Sequence, residues 1–251
     1  MSEHLRFRGL EPTPVEQRVS FRSPGFPEWV LSQDNRFAAA NRNNDWFDEV
    51  IALPAQIYPN CFVVCWVNLI MDLIRREFGA DAIPEGYALD YNGIYERLDA
   101  ARGGDRTAGG QMDTVLKWAP EHEGWFEDVR WTPAYFPYRP DFAERMLAVM
   151  PFCIGMATHN GWFAPDDNGY IRPGLPNPTA GHAVHVVDHQ WRGNTGYSFF
   201  PLQWGYDIGH NGYACMADEH VVQSQLSDCV TLYLPDGVGR WWEEKLVEIP
   251  S

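Results

Sequence analysis

The feature that most constrains this chain is one long apolar segment. Cys61-Phe-Val-Val-Cys-Trp-Val-Asn-Leu-Ile-Met-Asp-Leu-Ile-Arg-Arg-Glu-Phe78 follows Pro59-Asn60 and precedes Gly79. Asn60 suits an N-cap, Arg75 and Arg76 fall in the last turn, and Gly79 suits a C-cap. The segment predicts a single helix over 61–78, apolar nearly all round in its first half. Such a helix has no solvent face there, so other elements must enclose it. It is not a membrane span: Asn68 and Asp72 interrupt it, and Arg75-Arg76 close it.

Around this helix the chain changes character once. Residues 1–50 read as an irregular arm, with Pro12, Pro14, Pro24 and Pro27 breaking any periodicity and Asn41 to Asp45 forming a polar loop. Further helix patterns run at about 89–101, 111–118 and 141–149, with Gly103-Gly104 and Gly109-Gly110 bracketing a loop. After Pro151, short runs at 152–157, 183–187, 197–202, 213–216 and 229–234 read as strands separated by Gly, Pro, Asn and Asp turns. The expected organisation is α+β: the arm, a helical subdomain over 51–150, a β-rich subdomain over 151–234 and a tail over 235–251. A cleft between the subdomains is the natural place for a site.

Charge narrows the partners. Lys and Arg total 19 against 34 Asp and Glu, a net −15, which disfavours nucleic acid and anionic membranes. With 45% hydrophobic and 14% aromatic residues the chain is too rich in core formers to be disordered. Met1 to Leu10 is charged and lacks the apolar core of a signal peptide. Five cysteines, at 61, 65, 153, 215 and 229, make no dense framework and point to the cytoplasm or another reducing compartment.

The chemistry starts from a thiol at the head of a buried helix. Cys61 follows the cap directly, where the partial positive charge of the helix end favours thiolate. Cys65 lies one turn on, on the same face but deeper in the helix. His182 stands in Gly181-His182-Ala-Val-His185-Val-Val-Asp188, at the head of an apolar strand. A zinc site from His182 and His185 fails on geometry, because residues three apart on a strand face opposite ways, and the Cys61/Cys65 spacing brings no second ligand pair. Read singly, each of these residues is also an ordinary core residue.

Several segments in order resemble the papain-like cysteine peptidases, in particular their bacterial branch without dense disulfides. Gln56 followed by Cys61 and a long helix resembles the family's oxyanion glutamine and nucleophile helix. Thr107-Ala-Gly109-Gly110-Gln-Met-Asp-Thr-Val-Leu-Lys-Trp118 resembles its glycine wall and following helix, and Met146 to Phe163 the strand and loop that enter the second half. Gly181-His182-Ala183-Val184 resembles the catalytic-histidine strand. Gln203-Trp204-Gly205 through Asn211-Gly212-Tyr213 resembles the tryptophan-glycine turn and the Asn-Gly-Tyr that closes the site. Glu219-His-Val221 with Leu226 to Leu232 resembles the terminal strand of the bacterial branch.

Two departures stand out. Leu202 occupies the place of the family asparagine that orients the histidine, and neighbouring Gln203 reaches the ring only if a bulge re-aims it. The family's glutamine lies six before its cysteine, whereas Gln56 lies five before Cys61 and nine before Cys65. Cys65 is followed by the family's tryptophan, here Trp66, while Cys61 has the better cap and spacing, so both stay in play.

The resemblance implies a papain-like fold with a helical first half and a β-barrel-like antiparallel second half. It implies hydrolysis of peptide or amide bonds by a Cys61–His182 pair, with Gln56 and the Cys61 N–H binding the oxyanion, Gly109 and Gly110 holding a peptide-like substrate, and Trp204 shielding the histidine. No metal or organic cofactor is expected. The stretch before Cys61 is short for an inhibitory segment, so no zymogen is expected. The other reading is a papain-fold protein impaired in catalysis that serves as a structural or binding module, with protein partners in a larger assembly. Leu202 points to the second reading; His182 and the helix-start cysteine point to the first.

Overall fold

The computed structural model describes residues 8–10, 56–78, 90–104, 108–122, 132–147, 151–205, 208–227 and 229–233. The bulk of the expected arm, the tail over 235–251 and the Gly79 cap lie outside the described residues.

The apolar segment is one helix, α1 (Cys61–Phe78), and the residues from Cys61 to Met71 contribute a continuous buried run to the core. Its start differs from expectation in one detail. The Asn60 carbonyl accepts from Val63 N–H at 2.8 Å and Val64 N–H at 3.0 Å, but the side chain does not cap. Asn60 Nδ2 donates to Asn92 Oδ1 at 3.0 Å, and Asn60 Oδ1 is buried with no hydrogen bond. The side chain therefore ties α1 to the next helix, α2 (Tyr91–Ala101), which has its own cap in Asp90 accepting from Gly93 N–H.

Next come a short strand, β2 (Ala108–Gly110), and helix α3 (Met112–His122). Trp66 of α1 is fully buried and donates its indole N–H to the Met112 carbonyl, which locks α1 to the head of α3. At the other end of the chain's first half, β1 (Arg8–Leu10) pairs in parallel with β2, Arg8 opposite Ala108 and Leu10 opposite Gly110.

The main sheet has four strands in the order β3 (Thr132–Phe136), β9 (Cys229–Tyr233), β4 (Phe152–Thr158) and β5 (Asn177–Val186), all antiparallel. It reaches across the expected boundary near 150, because β3 comes before helix α4 (Pro140–Leu147) and pairs with the last described strand. Every residue of β4 is buried, so α1 covers one face of the sheet while other elements cover the opposite one. The Asp72 that interrupts the apolar helix now has a reason. Its carboxylate meets His185 Nε2 of β5 at 3.3 Å, a buried carboxylate–imidazole contact that pins α1 to the sheet.

A second antiparallel sheet holds β6 (Asp188–Arg192), β7 (Thr195–Pro201) and β8 (Tyr213–Ala217). Only Val187 separates β5 from β6, and its N–H donates to Phe199 O at 2.9 Å, so one length of chain passes from sheet to sheet. Among the described residues the barrel-like half is thus two joined sheets that do not close on each other. The segment with Glu219-His-Val221, expected as part of the terminal strand, is a helix, α5 (Asp218–Ser224). Its first residue explains why: buried Asp218 accepts from Tyr138 at 2.6 Å and contacts His189 Nε2 at 2.9 Å, anchoring the turn.

Candidate active site

The beginning of α1 meets β5. Cys61 is fully buried, and its Sγ accepts a hydrogen bond from the Ala183 N–H at 3.4 Å. Ala183 is the residue after His182, so the fold brings the thiol to the strand position beside the imidazole. His182 is 4% exposed and sits in an aromatic box. Trp204 lies over the ring at 4.7 Å, and Trp162 meets it edge-on at 5.8 Å. Phe163 stacks on Trp204 at 5.2 Å and closes the outer side.

His182 Nε2 lies 3.3 Å from the Leu202 carbonyl oxygen. A carbonyl can only accept, so in this contact Nε2 carries the proton and Nδ1 of the neutral ring is an acceptor. Gln203 takes a different course from the one its position suggested. It has a φ of 63°, and its side-chain amide nitrogen lies 3.7 Å from Cys65 Sγ. Its Oε1 is buried without a hydrogen bond. The chain does deviate there from a regular strand, but the deviation presents the Leu202 carbonyl to the ring instead of the Gln203 side chain.

Gln56 reaches the same place from the other side. Its N–H donates to the Gln203 carbonyl at 2.8 Å, its side-chain Nε2 donates to the Tyr58 carbonyl, and its Oε1 is buried without a partner. Cys65 faces inward, between Gln203 and Cys153, whose Sγ donates to the Cys65 carbonyl at 3.4 Å. Gly109 and Gly110 lie on β2, with the Gly109 carbonyl accepting from Arg102 at 3.0 Å. A Cβ on Gly110 would stand 2.6 Å from the ring of Phe62, the residue after Cys61, so glycine is what lets β2 approach the helix start. Strand β1 runs along β2 and also packs against β5 and α1.

The electrostatics overturn one expectation. A thiol at a helix start beside a histidine should be acidic, yet burial pushes Cys61 up to about 12; the Ala183 N–H pulls the other way, and the neighbouring Cys65 thiol adds to the rise. Cys65 is raised too, by burial first and then by Cys153. Burial pulls His182 down to about 4, with the Leu202 carbonyl opposing. The pair in this closed arrangement is a neutral thiol and a neutral imidazole.

Sequence reasoning missed Trp162, Phe163, Cys153, the Ala183 N–H and the Leu202 carbonyl. The aromatic pair sits in a single 3₁₀ turn, Asn160–Phe163, too short for any periodicity to reveal it. Main-chain donors and acceptors carry no sequence signal at all. Among the described residues no group of three or more His, Cys, Asp or Glu is placed to hold a metal ion.

Neither a family model nor a curated protein matches the sequence. Solved structures do. The digestive procathepsin L2 proteinase from Tenebrio molitor larval midgut aligns with a TM-score of 0.56 and 15% identity over 75% of this chain and 67% of that one. The Amb a 11 cysteine protease of ragweed pollen, in its proform, gives 0.56 and 14% over 78% and 65%. The procathepsin B S9 from Trypanosoma congolense gives 0.58 and 14% over 90% and 86%. At such identities the likeness speaks for architecture: the chain has the α+β fold of papain-like cysteine proteases.

Proposed function

We propose that the protein is a thiol-dependent hydrolase of peptide or amide bonds, with Cys61 as nucleophile and His182 as proton carrier. The observation that carries this reading is the Cys61 thiol at the start of α1, hydrogen-bonded to the residue next to His182. Nδ1 of His182 takes the thiol proton as sulfur attacks the substrate carbonyl and forms the S–C bond. The tetrahedral intermediate collapses, the C–N bond breaks, and His182 returns the proton to the leaving amine. Water then cleaves the thioester and restores the thiol. The Cys61 N–H and Gln56 bind the oxyanion, which requires the Gln56 amide to leave the Tyr58 carbonyl. Gly109 and Gly110 pair with the substrate backbone, and Trp204 keeps water from the imidazole.

Solved structures similar to this chain include a procathepsin, a protease in its proform and a recombinant stem bromelain precursor. In this chain β1 lies on β2, the strand assigned here to substrate, while thiol and imidazole are buried and neutral. That supports a resting form that must open before it acts, in place of the expectation of no zymogen. It is also the observation that favours the second reading, a catalytically impaired scaffold. Free, buried cysteines support a reducing compartment.

The test is labelling with iodoacetamide or an epoxide thiol probe under conditions that also show peptide hydrolysis, followed by peptide mapping. Labelling centred on Cys61, lost in Cys61→Ala and kept in Cys65→Ala, is the expected result. Equal slow labelling of both cysteines with no turnover would leave the scaffold reading.

A further inference from the structure

We propose that the main-chain carbonyl of Leu202 positions His182, doing the work that a side-chain oxygen at that place would otherwise do, and that left-handed Gln203 holds this carbonyl in aim. The catalytic consequence rests on the hydrolase reading; the tautomer it assigns to His182 does not.

The direction of a carbonyl is set by its peptide plane, here the one joining Leu202 to Gln203. That plane is tied on both sides. Leu202 N–H donates to the Gly212 carbonyl at 2.8 Å, and the Gln203 carbonyl accepts from Gln56 N–H at 2.8 Å. Between these ties Gln203 adopts a φ of 63°, a region that residues other than glycine rarely occupy and that persists only where surroundings over-determine it. The outcome is a Leu202 oxygen 3.3 Å from His182 Nε2.

The side chains are disposed to match. Leu202 is fully buried, with Cδ1 3.3 Å from the place a Cβ on Gly209 would take, so leucine fills the core while its carbonyl serves the ring. The Gln203 side chain is drawn toward Cys65. Trp204 over the imidazole and Trp162 at its edge leave the carbonyl without competition from water. A leucine in place of an orienting asparagine therefore does not leave His182 unaimed. The ring is fixed with Nε2–H toward Leu202, and Nδ1 is the nitrogen left to exchange a proton with sulfur.

The experiment is nitrogen-15 NMR of the full chain labelled in its histidine rings, with His182→Gln assigning the resonances. At neutral pH His182 should show a protonated Nε2 and an unprotonated Nδ1; the reverse pattern, or fast averaging of the two tautomers, overturns the proposal. Gln203→Pro, whose φ is fixed near about −65°, cannot hold the plane and should convert the spectrum to a tautomer mixture. Gln203→Gly accepts a left-handed φ and should keep the wild-type pattern. A Gln203→Pro protein that folds yet retains that pattern would also overturn it, and if this variant does not fold, the wild-type and Gln203→Gly spectra decide alone. In a hydrolysis assay Gln203→Pro should lose about tenfold or more in kcat with little change in KM. The assigned tautomer without thiol-dependent turnover in the wild type supports the positioning role and removes the hydrolase reading; turnover with the opposite tautomer does the converse.

Discussion

Cys61 stands at the positive end of α1, where a helix dipole lowers the free energy of a thiolate by about 0.3–1 kcal/mol, less than one pKa unit. Removing the thiol from water outweighs that, taking it from 9.0 to about 12. In the resting form alkylation of Cys61 should therefore be slow at pH 7 and climb through the alkaline range. A fast-reacting thiol with a midpoint below about 8 would show that the site is already open. His182 makes the complementary prediction for stability. Its folded value, about 4, lies below the 6.5 of the unfolded chain, so unfolding takes up a proton at acid pH. The stability held above pH 6.5 should fall as pH drops toward 4, by about 3 kcal/mol at the lower end. His159 is also shifted down and titrates in the same direction, so the comparison to make is urea midpoints of wild type and His182→Gln between pH 7 and 4.5. A slope unchanged by the substitution would show that His182 is not the buried neutral ring.

At the scale of elements, the contact between β2 and the start of α1 is the tightest part of the site. Phe62 is fully buried, edge-on to Tyr95 at 6.2 Å, with the Arg102 guanidinium 5.7 Å from its ring centre. Gly110→Ala would place a methyl 2.6 Å from that ring. It should cost about 1–3 kcal/mol in chemical denaturation and shift the start of α1; a loss under about 0.5 kcal/mol would mean that β2 stands off from the helix. The elements differ in how visibly the sequence announces them. Helix 61–78 was legible because the apolar residues of its first half go all round, and β4 because Phe152 to Ala157 carries no polar side chain. Strand β3 was not, since Pro133 lies inside it, as an edge strand permits. Strand β6 hid behind Asp188, His189 and Gln190: His189 holds Asp218, and Gln190 donates to Asp188 within the strand. Helix α5 has no side-chain cap at Ala217, so its start gave no signal. In the site, the cysteine and histidine were readable by residue type, whereas the Ala183 N–H and the Leu202 carbonyl exist in every sequence and gain meaning only from the backbone path.

On the scale of the whole molecule, three strands far apart in sequence pack against α1: β1 near residue 9, β2 near 109 and β5 near 182. The first of these covers the other two. On the proposed reading of β2 as the strand that takes the substrate, pairing Arg8 with Ala108 and Leu10 with Gly110 puts main chain in the substrate's place, and β1 packs on α1 as well. A bound peptide and β1 then compete for one edge. The main-chain hydrogen bonds of so short a pairing are worth about 0.5–1.5 kcal/mol each, so releasing two of them shifts the open fraction by about tenfold or more. Deleting residues 1–10 should accelerate iodoacetamide labelling of Cys61 by at least about that factor at pH 8, while labelling of Cys215, in the other sheet, changes little. A synthetic peptide of residues 1–10 added back should slow it again in a concentration-dependent way. A truncated chain that keeps its far-ultraviolet spectrum and its urea midpoint, yet labels at the wild-type rate, would show that β1 does not guard the thiol and that burial by α1 and β5 alone keeps it closed.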